Sequence, residues 1–330
     1  MKKDLACNIF SIHTTYHERV VRGLIDSLYS GDKNIIIATI NVKKYNNTQT
    51  YKLPTLTVFL NVLKEILKRK RKAIFKQIFS SVDQNYSSVR IFIPHYLNIN
   101  ANYLANNRLI QNYQIYNYPD GILSHYIFKP SISTYIIQLR NIIVAKLIGL
   151  NYRMCYSDII NPFNNVYELY SYDPELSNIH AVTTRQIPFT RKRLQHNRCN
   201  IVILGSDIYI NEHYQIVEKI FNIVYNISGK IYYKPHPRLI NDKMYHYINE
   251  NINSSYSLEI MNERCGIEEV IEKYNIKTII SFSLSTAHVE VQRKYYNALE
   301  CYAYINPKLR LFHTFTNLEL LLQKYNINEI

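Results

Sequence analysis

The chain has 330 residues and a formal net charge of +14, from 39 Lys+Arg against 25 Asp+Glu. That length holds about two domains of ~150 residues, and a hydrophobic content of 47% excludes a disordered polymer. Only seven glycines exclude collagen-like and Gly-linker architectures, and the positive balance implies an anionic partner: nucleic acid, a membrane surface or a phosphorylated ligand.

The start, Met1-Lys2-Lys3, looks like the first part of an export signal. Asp4 follows at once, however, and the apolar run over 5–12 is interrupted by Asn8 and ends at His13 without a small-residue cleavage site. No export signal is therefore expected. From that run onward, short apolar segments alternate with helical patterns. Strands are predicted over 5–12, 34–40, 89–93, 114–118, 179–183, 200–204, 230–233, 258–261, 278–282 and 301–305. Helices are predicted over 16–29, 55–79, 133–150, 212–227, 267–274, 286–298 and 318–325. Continuous apolar strands between helices mean parallel sheets covered on both faces, so the class is α/β. The basic, aperiodic stretch 184–197 reads as a linker. It places one domain over 1–190 and a second over 198–330, which opens on the buried strand ending at Gly205-Ser206. No segment reaches the ~18 apolar residues of a membrane span. Five scattered cysteines, never in CxxC, fit a reducing cytoplasm and exclude a disulfide framework.

Five places carry chemistry-bearing residues, four of them just past strand ends, where ligands bind in open α/β sheets. Asp120 stands in Tyr118-Pro119-Asp120-Gly121; Pro-Asp-Gly is also ordinary turn chemistry, and local sequence alone favours the turn. His236 lies in Lys234-Pro235-His236-Pro237-Arg238, where two prolines hold the backbone extended and two cations suit an anion. Ser285-Thr286 enters a helix and either binds a phosphate or simply caps the helix. Gly205-Ser206 follows the first strand of the second domain. Glu268-Glu269 open a helix, where a carboxylate complements the dipole or takes ribose hydroxyls.

Neither a dinucleotide fingerprint nor a P-loop occurs, and no Asp-x-Asp or zinc-spaced His pair is present, so chemistry without a metal is expected. The segment 64–72 packs six Lys and Arg into a helical pattern with apolar neighbours, which reads as a membrane-surface helix or as a solvated face. The 31 tyrosines are spread through strands and helices alike, so no nucleic-acid surface is expected.

Taken in order, Asp120-Gly121, His236-Pro237 and Ser285-Thr286 resemble the three signatures of the bacterial sialyltransferases that build lipooligosaccharide caps and polysialic acid capsules. Thr14-Tyr16-His17 and Glu269-Val270-Ile271 are also similar to segments of that family, while Pro119 stands where many members carry a second acid. The resemblance implies a GT-B fold, two Rossmann-like domains whose parallel sheets face each other across a cleft. It implies metal-independent, inverting transfer of sialic acid from CMP-sialic acid, without a cofactor, to a hydroxyl of a surface glycan. Asp120 would be the general base and His236 the acid on the departing phosphate. Ser285 and Thr286 would hold that phosphate, and Lys234, Pro237, Gly205, Ser206 and Glu269 would line the nucleotide site. A lipid-linked acceptor would place the enzyme in the cytoplasm, against the anionic inner face of the bacterial membrane. The alternatives are a CDP-glycerol-type polyol-phosphate transferase and a transferase for another CMP-linked acid sugar, such as Kdo or another nonulosonate.

Overall fold

The structure is a computed structural model. It describes residues 3–45, 47–56, 59–107, 109–110, 112–121, 132–177, 182–194, 198–206, 209–225, 229–236, 243–251, 258–261, 266–307 and 318–330. The chain divides into two compact units, with the division between Phe189 and Thr190.

The first unit runs β1 (Lys3–Ile12), α1 (Thr15–Leu28), β2 (Lys33–Ala38), β3 (Thr48–Lys52), α2 (Phe59–Lys68), α3 (Lys70–Asn85), β4 (Tyr86–Ile93), α4 (Ile99–Ala105), β5 (Tyr113–Asn117), α5 (Ile132–Leu147), β6 (Val166–Ser171), α6 (Pro174–Ser177) and β7 (Thr184–Gln186). Its seven strands are all parallel, in the order β3-β2-β1-β4-β5-β6-β7. Alternate residues of one strand enter different cores. Ile35 and Ile37 join Phe75, Phe79 and Val82 of α3, while Ile36 and Ala38 join Val20, Val21 and Leu24 of α1. Both faces are covered, which is why the strand reads as a continuous apolar run instead of an alternating one.

The second unit holds β8 (Asn200–Leu204), α7 (Asn211–Gln215), α8 (Val217–Tyr225), β9 (Ile231–Lys234), α9 (Lys243–Asn251), β10 (Leu258–Ile260), α10 (Ile267–Lys273), β11 (Ile276–Ser281), α11 (Thr286–Lys294), β12 (Glu300–Ala303), a last helix over Leu318–Lys324 and β13 (Ile327–Glu329). Its six strands are parallel, in the order β10-β9-β8-β11-β12-β13. In each sheet the strand order reverses once, between β1 and β4 in the first and between β8 and β11 in the second. Crevices at such reversals are where open α/β sheets bind ligands.

Three readings of the sequence are corrected. The stretch 184–197 is not linker throughout, because Thr184–Gln186 is the edge strand β7, hydrogen-bonded to β6. The helix expected over 55–79 is two helices, broken where Arg69 takes a left-handed conformation, φ +46°. The basic run 64–72 is therefore not one amphipathic face, and one of its cations is internal. Arg71 is buried beside Glu65 and hydrogen-bonds the Pro54 carbonyl and the Asn100 side chain. The strand expected over 179–183 lies partly outside the described residues, as do Pro237 and Arg238.

Candidate active site

In the first unit three loops leave the carboxyl edge of neighbouring strands β1, β4 and β5 and meet at Asp120. The chain leaves β5 with one more ladder bond, Tyr118 N–H to the Ile93 carbonyl at 3.1 Å. It then turns at Gly121, whose φ of +61° is left-handed and strained for any residue with a Cβ. The turn therefore exists, but it does more than reverse the chain.

His17 reaches Asp120 from the first turn of α1. That turn is fixed by Thr14, whose hydroxyl accepts the His17 N–H at 3.2 Å as the helix N-cap. The Nδ1 of His17 accepts the His13 N–H at 3.3 Å, which leaves the ring proton on Nε2, 2.6 Å from Asp120 Oδ1. His95, just past β4, repeats the arrangement: Nδ1 accepts the Leu97 N–H at 3.0 Å, and Nε2 lies 3.3 Å from Asp120 Oδ2. Each carboxylate oxygen thus faces one imidazole N–H. A third imidazole, His13, has Nε2 3.0 Å from Ser11 Oγ, and among the described residues its buried Nδ1 has no hydrogen-bond partner.

The electrostatics follow from these bonds. Burial pushes the Asp120 carboxyl up, but His95 and the hydrogen-bonded His17 outweigh it and bring it down to about 2. Burial pushes His95 below its ordinary value, against the pull of Asp120, and holds His13 well below its own. The site is an ionised carboxylate, its side chain 17% exposed, hydrogen-bonded by the His17 ring and paired electrostatically with His95. A largely desolvated charge needs such partners, so Asp120 has an electrostatic environment that a turn alone does not require.

Sequence reasoning placed Asp120 and noted His17, but missed His95 and the unsatisfied Nδ1 of His13. The signal for His95 was present: an ionisable side chain directly past a central strand end.

In the second unit the expected residues leave the carboxyl edge of three adjacent strands. Gly205 and Ser206 follow β8, Lys234 ends β9 with His236 two residues beyond, and Ser285-Thr286 follow β11. The Gly205 N–H donates to the Lys234 carbonyl at 2.9 Å, which ties two of these strand ends together. Ser206 is buried, and its N–H donates to the Tyr209 hydroxyl. Ser285 is the N-cap of α11; its hydroxyl accepts the Ala287 N–H at 3.2 Å and lies beside His288. Beneath the cap, His288 is fully buried, 3.2 Å from Ser281 Oγ, and burial lowers it to about 4. Ser285 therefore does the structural job that the sequence also allowed, and Thr286 is the first helical residue. Glu269 is exposed in the first turn of α10, a helix that packs on α11. Pro237 lies outside the described residues.

No protein-family model matches the chain, and no curated protein does. Solved structures match nearly all of it. The crystal structure of the glycosyltransferase of kitacinnamycin aligns over 100% of this chain and 87% of its own, with 9% identity and a TM-score of 0.53. Phytolacca americana UGT2, complexed with UDP-2-fluoroglucose and pterostilbene, aligns over 98% and 85%, with 9% identity and a TM-score of 0.50. The S. aureus MnaA–UDP co-structure covers 92% of this chain and 79% of its own, at 10% identity and a TM-score of 0.50. What is shared at such identities is the fold: two parallel-sheet α/β domains of the GT-B type.

Proposed function

We propose that the chain is an inverting glycosyltransferase that moves sialic acid from CMP-sialic acid to a glycan hydroxyl. The observation that carries the reading is Asp120, an ionised carboxylate hydrogen-bonded by His17 and 3.3 Å from His95, where the chain leaves β5 beside the β1–β4 strand-order reversal. The choice of a CMP-linked donor is supported by the order of the Asp-Gly, His-Pro and Ser-Thr motifs.

In the proposed reaction the acceptor oxygen forms a bond to the anomeric carbon as the bond to the CMP phosphate breaks. The phosphate leaves with the electron pair. The hydroxyl proton passes to Asp120, the carboxylate held by His17 and His95. A carboxyl near 2 is a weak base. It suffices because the attacking hydroxyl becomes strongly acidic once its oxygen bonds an oxocarbenium-like centre. His236 donates a hydrogen bond to the departing phosphate, and the α11 N-terminus and Lys234 offset its charge. Gly205 keeps the backbone close to the nucleotide beside Ser206, and Glu269 takes ribose hydroxyls.

A CMP-linked sugar has a single phosphate and no diphosphate for a metal to bridge. Transfer is therefore expected to persist in EDTA; complete loss that Mn²⁺ restores would overturn this part of the mechanism. The donor is tested by thermal shift with CMP, UDP and CDP-glycerol, together with CMP release from CMP-sialic acid. CMP should raise the Tm by mass action. A shift with UDP or CDP-glycerol and none with CMP would reject a CMP-linked donor. A CMP shift with turnover of CMP-Kdo and none of CMP-sialic acid would assign another acid sugar.

A further inference from the structure

Two helices of the first unit carry their side chains in the reverse of the usual sense. On α5 the inward face carries three buried polar side chains, Thr134, Gln138 and Asn141, with Val144 and Ala145 entering the core at its carboxyl-terminal end. The outward face is apolar, with Ile132 81% exposed, Ile136 62%, Leu139 54%, Ile143 61% and Leu147 55%. Their spacing puts these five on one helical stripe. The helix cannot roll the stripe inward, because Gln138 exchanges two hydrogen bonds with the Cys155 backbone, at 3.0 and 2.7 Å, and Asn141 donates to the Leu97 carbonyl.

The α2 helix repeats the inversion. Phe59, Leu63 and Leu67 are 74%, 39% and 83% exposed, while Glu65 is buried against Arg71. The two helices belong to one neighbourhood. Arg140 of α5 donates to the Leu56 carbonyl ahead of α2, and Gly149, past α5, lies against the Lys72 side chain at the start of α3. Apolar area of this kind marks an interaction surface.

The charge around it identifies the partner. Lys64, Lys68, Arg69, Lys70 and Lys72 are exposed beside the α2 stripe, and Arg140 and Lys146 beside that of α5. Glu65 is the one acid between 59 and 82, and it is internal; α5 carries none. An apolar stripe bordered by exposed cations alone matches an anionic bilayer, whose acyl boundary takes the Ile and Leu and whose phosphates take the Lys and Arg. A second copy of the same face would bring like charges together.

We infer that the α2–α5 face docks the protein on an anionic phospholipid bilayer. The inference stands apart from the choice of donor, which the CMP thermal shift reads separately. The test is co-sedimentation of the full chain with vesicles of phosphatidylcholine alone and of phosphatidylcholine with phosphatidylglycerol. Binding is expected to the anionic vesicles and to weaken as salt rises. Ile136→Gln with Ile143→Gln should lower partitioning by at least about tenfold and leave the Tm unchanged, since both side chains face solvent. Lys68→Gln with Lys70→Gln should lower it on anionic vesicles alone. No binding to anionic vesicles, or binding that ignores both pairs of substitutions, overturns the inference. A dimer in sedimentation velocity that the isoleucine substitutions dissolve, without vesicle binding, also overturns it and assigns the face to a second copy.

Discussion

Asp120 gains its character from residues that sit far from it in the chain. His17 lies 103 positions away, and the two meet because β1 and β4 are neighbours in the sheet with β5 next in line. Local sequence showed Pro-Asp-Gly and favoured a turn; the turn is real, but no local pattern announces two imidazole partners. Asp120→Ala should abolish transfer while leaving CMP affinity within about twofold, because the proposed base touches the acceptor alone. A folded variant with near wild-type turnover would remove Asp120 as base. These partners are tested by pH. With the carboxyl at about 2, Asp120 is ionised throughout the working range and contributes no acid limb to kcat/KM. Removing the charge partner, as in His95→Phe, should raise that carboxyl, and the acid limb should then climb toward pH 4 or above. An unshifted pH profile with reduced kcat would show that His95 acts otherwise.

At the scale of elements, the strands flanking each strand-order reversal were legible because both their faces are buried, which forces continuous runs of Ile, Val and Phe. The edge strands β3, β7 and β13 were not. They are short, they expose Thr, Arg and Glu, and pairing to one neighbour imposes no hydrophobic pattern. The break at Arg69 was also silent, since no Gly or Pro marks it and the apolar period continues across it. The N-terminus of α11 was legible but ambiguous, because an N-cap and a phosphate site use the same residues. One substitution separates the two roles. Asp caps a helix as well as Ser does, so Ser285→Asp should keep stability within about 0.5 kcal/mol. Its carboxylate would repel a nucleotide phosphate, so the donor KM should rise by more than about tenfold with kcat nearly kept. Ser285→Ala should instead cost about 1 kcal/mol in a urea melt. An unchanged KM in Ser285→Asp would leave the serine as a cap alone.

For the molecule as a whole, the buried histidines set the response to acid. His288 is lowered to about 4, and His13 and His95 are also lowered. Between about 6.5 and 4 the unfolded chain binds a proton at His288 that the folded chain does not, and the lowering of His13 and His95 acts in the same direction. The His288 contribution is complete above about pH 6.5 and is lost as pH falls toward 4, on the order of 3 kcal/mol. Asp120 adds a second, lower window: its contribution, on the order of 2 kcal/mol, is present above about 3.8 and is lost as pH falls through about 2. Urea melts at pH 7.5 and 5.0 should therefore show a lower midpoint in acid, and His288→Gln should shrink the difference. Equal midpoints would contradict the burial of these rings. The two-sheet architecture was readable from composition and period together, whereas the exposed stripe of α5 was not. Its period announces an amphipathic helix without saying which face turns inward, and that is decided by Gln138 and Asn141.

The bonding of His17 and His95 also governs proton traffic. Each ring has its Nδ1 committed to a main-chain amide, so neither imidazole offers a second nitrogen through which a proton taken by Asp120 could travel onward. In the proposed reaction, then, neither histidine makes that carboxyl a link in a relay. Its acidity makes this workable, because a carboxylic acid near 2 returns its proton directly to bulk water at neutral pH. Resetting between turnovers then requires neither a shuttle through His17 or His95 nor a buffer. Turnover should accordingly be independent of buffer concentration, and any solvent isotope effect should report the transfer step itself.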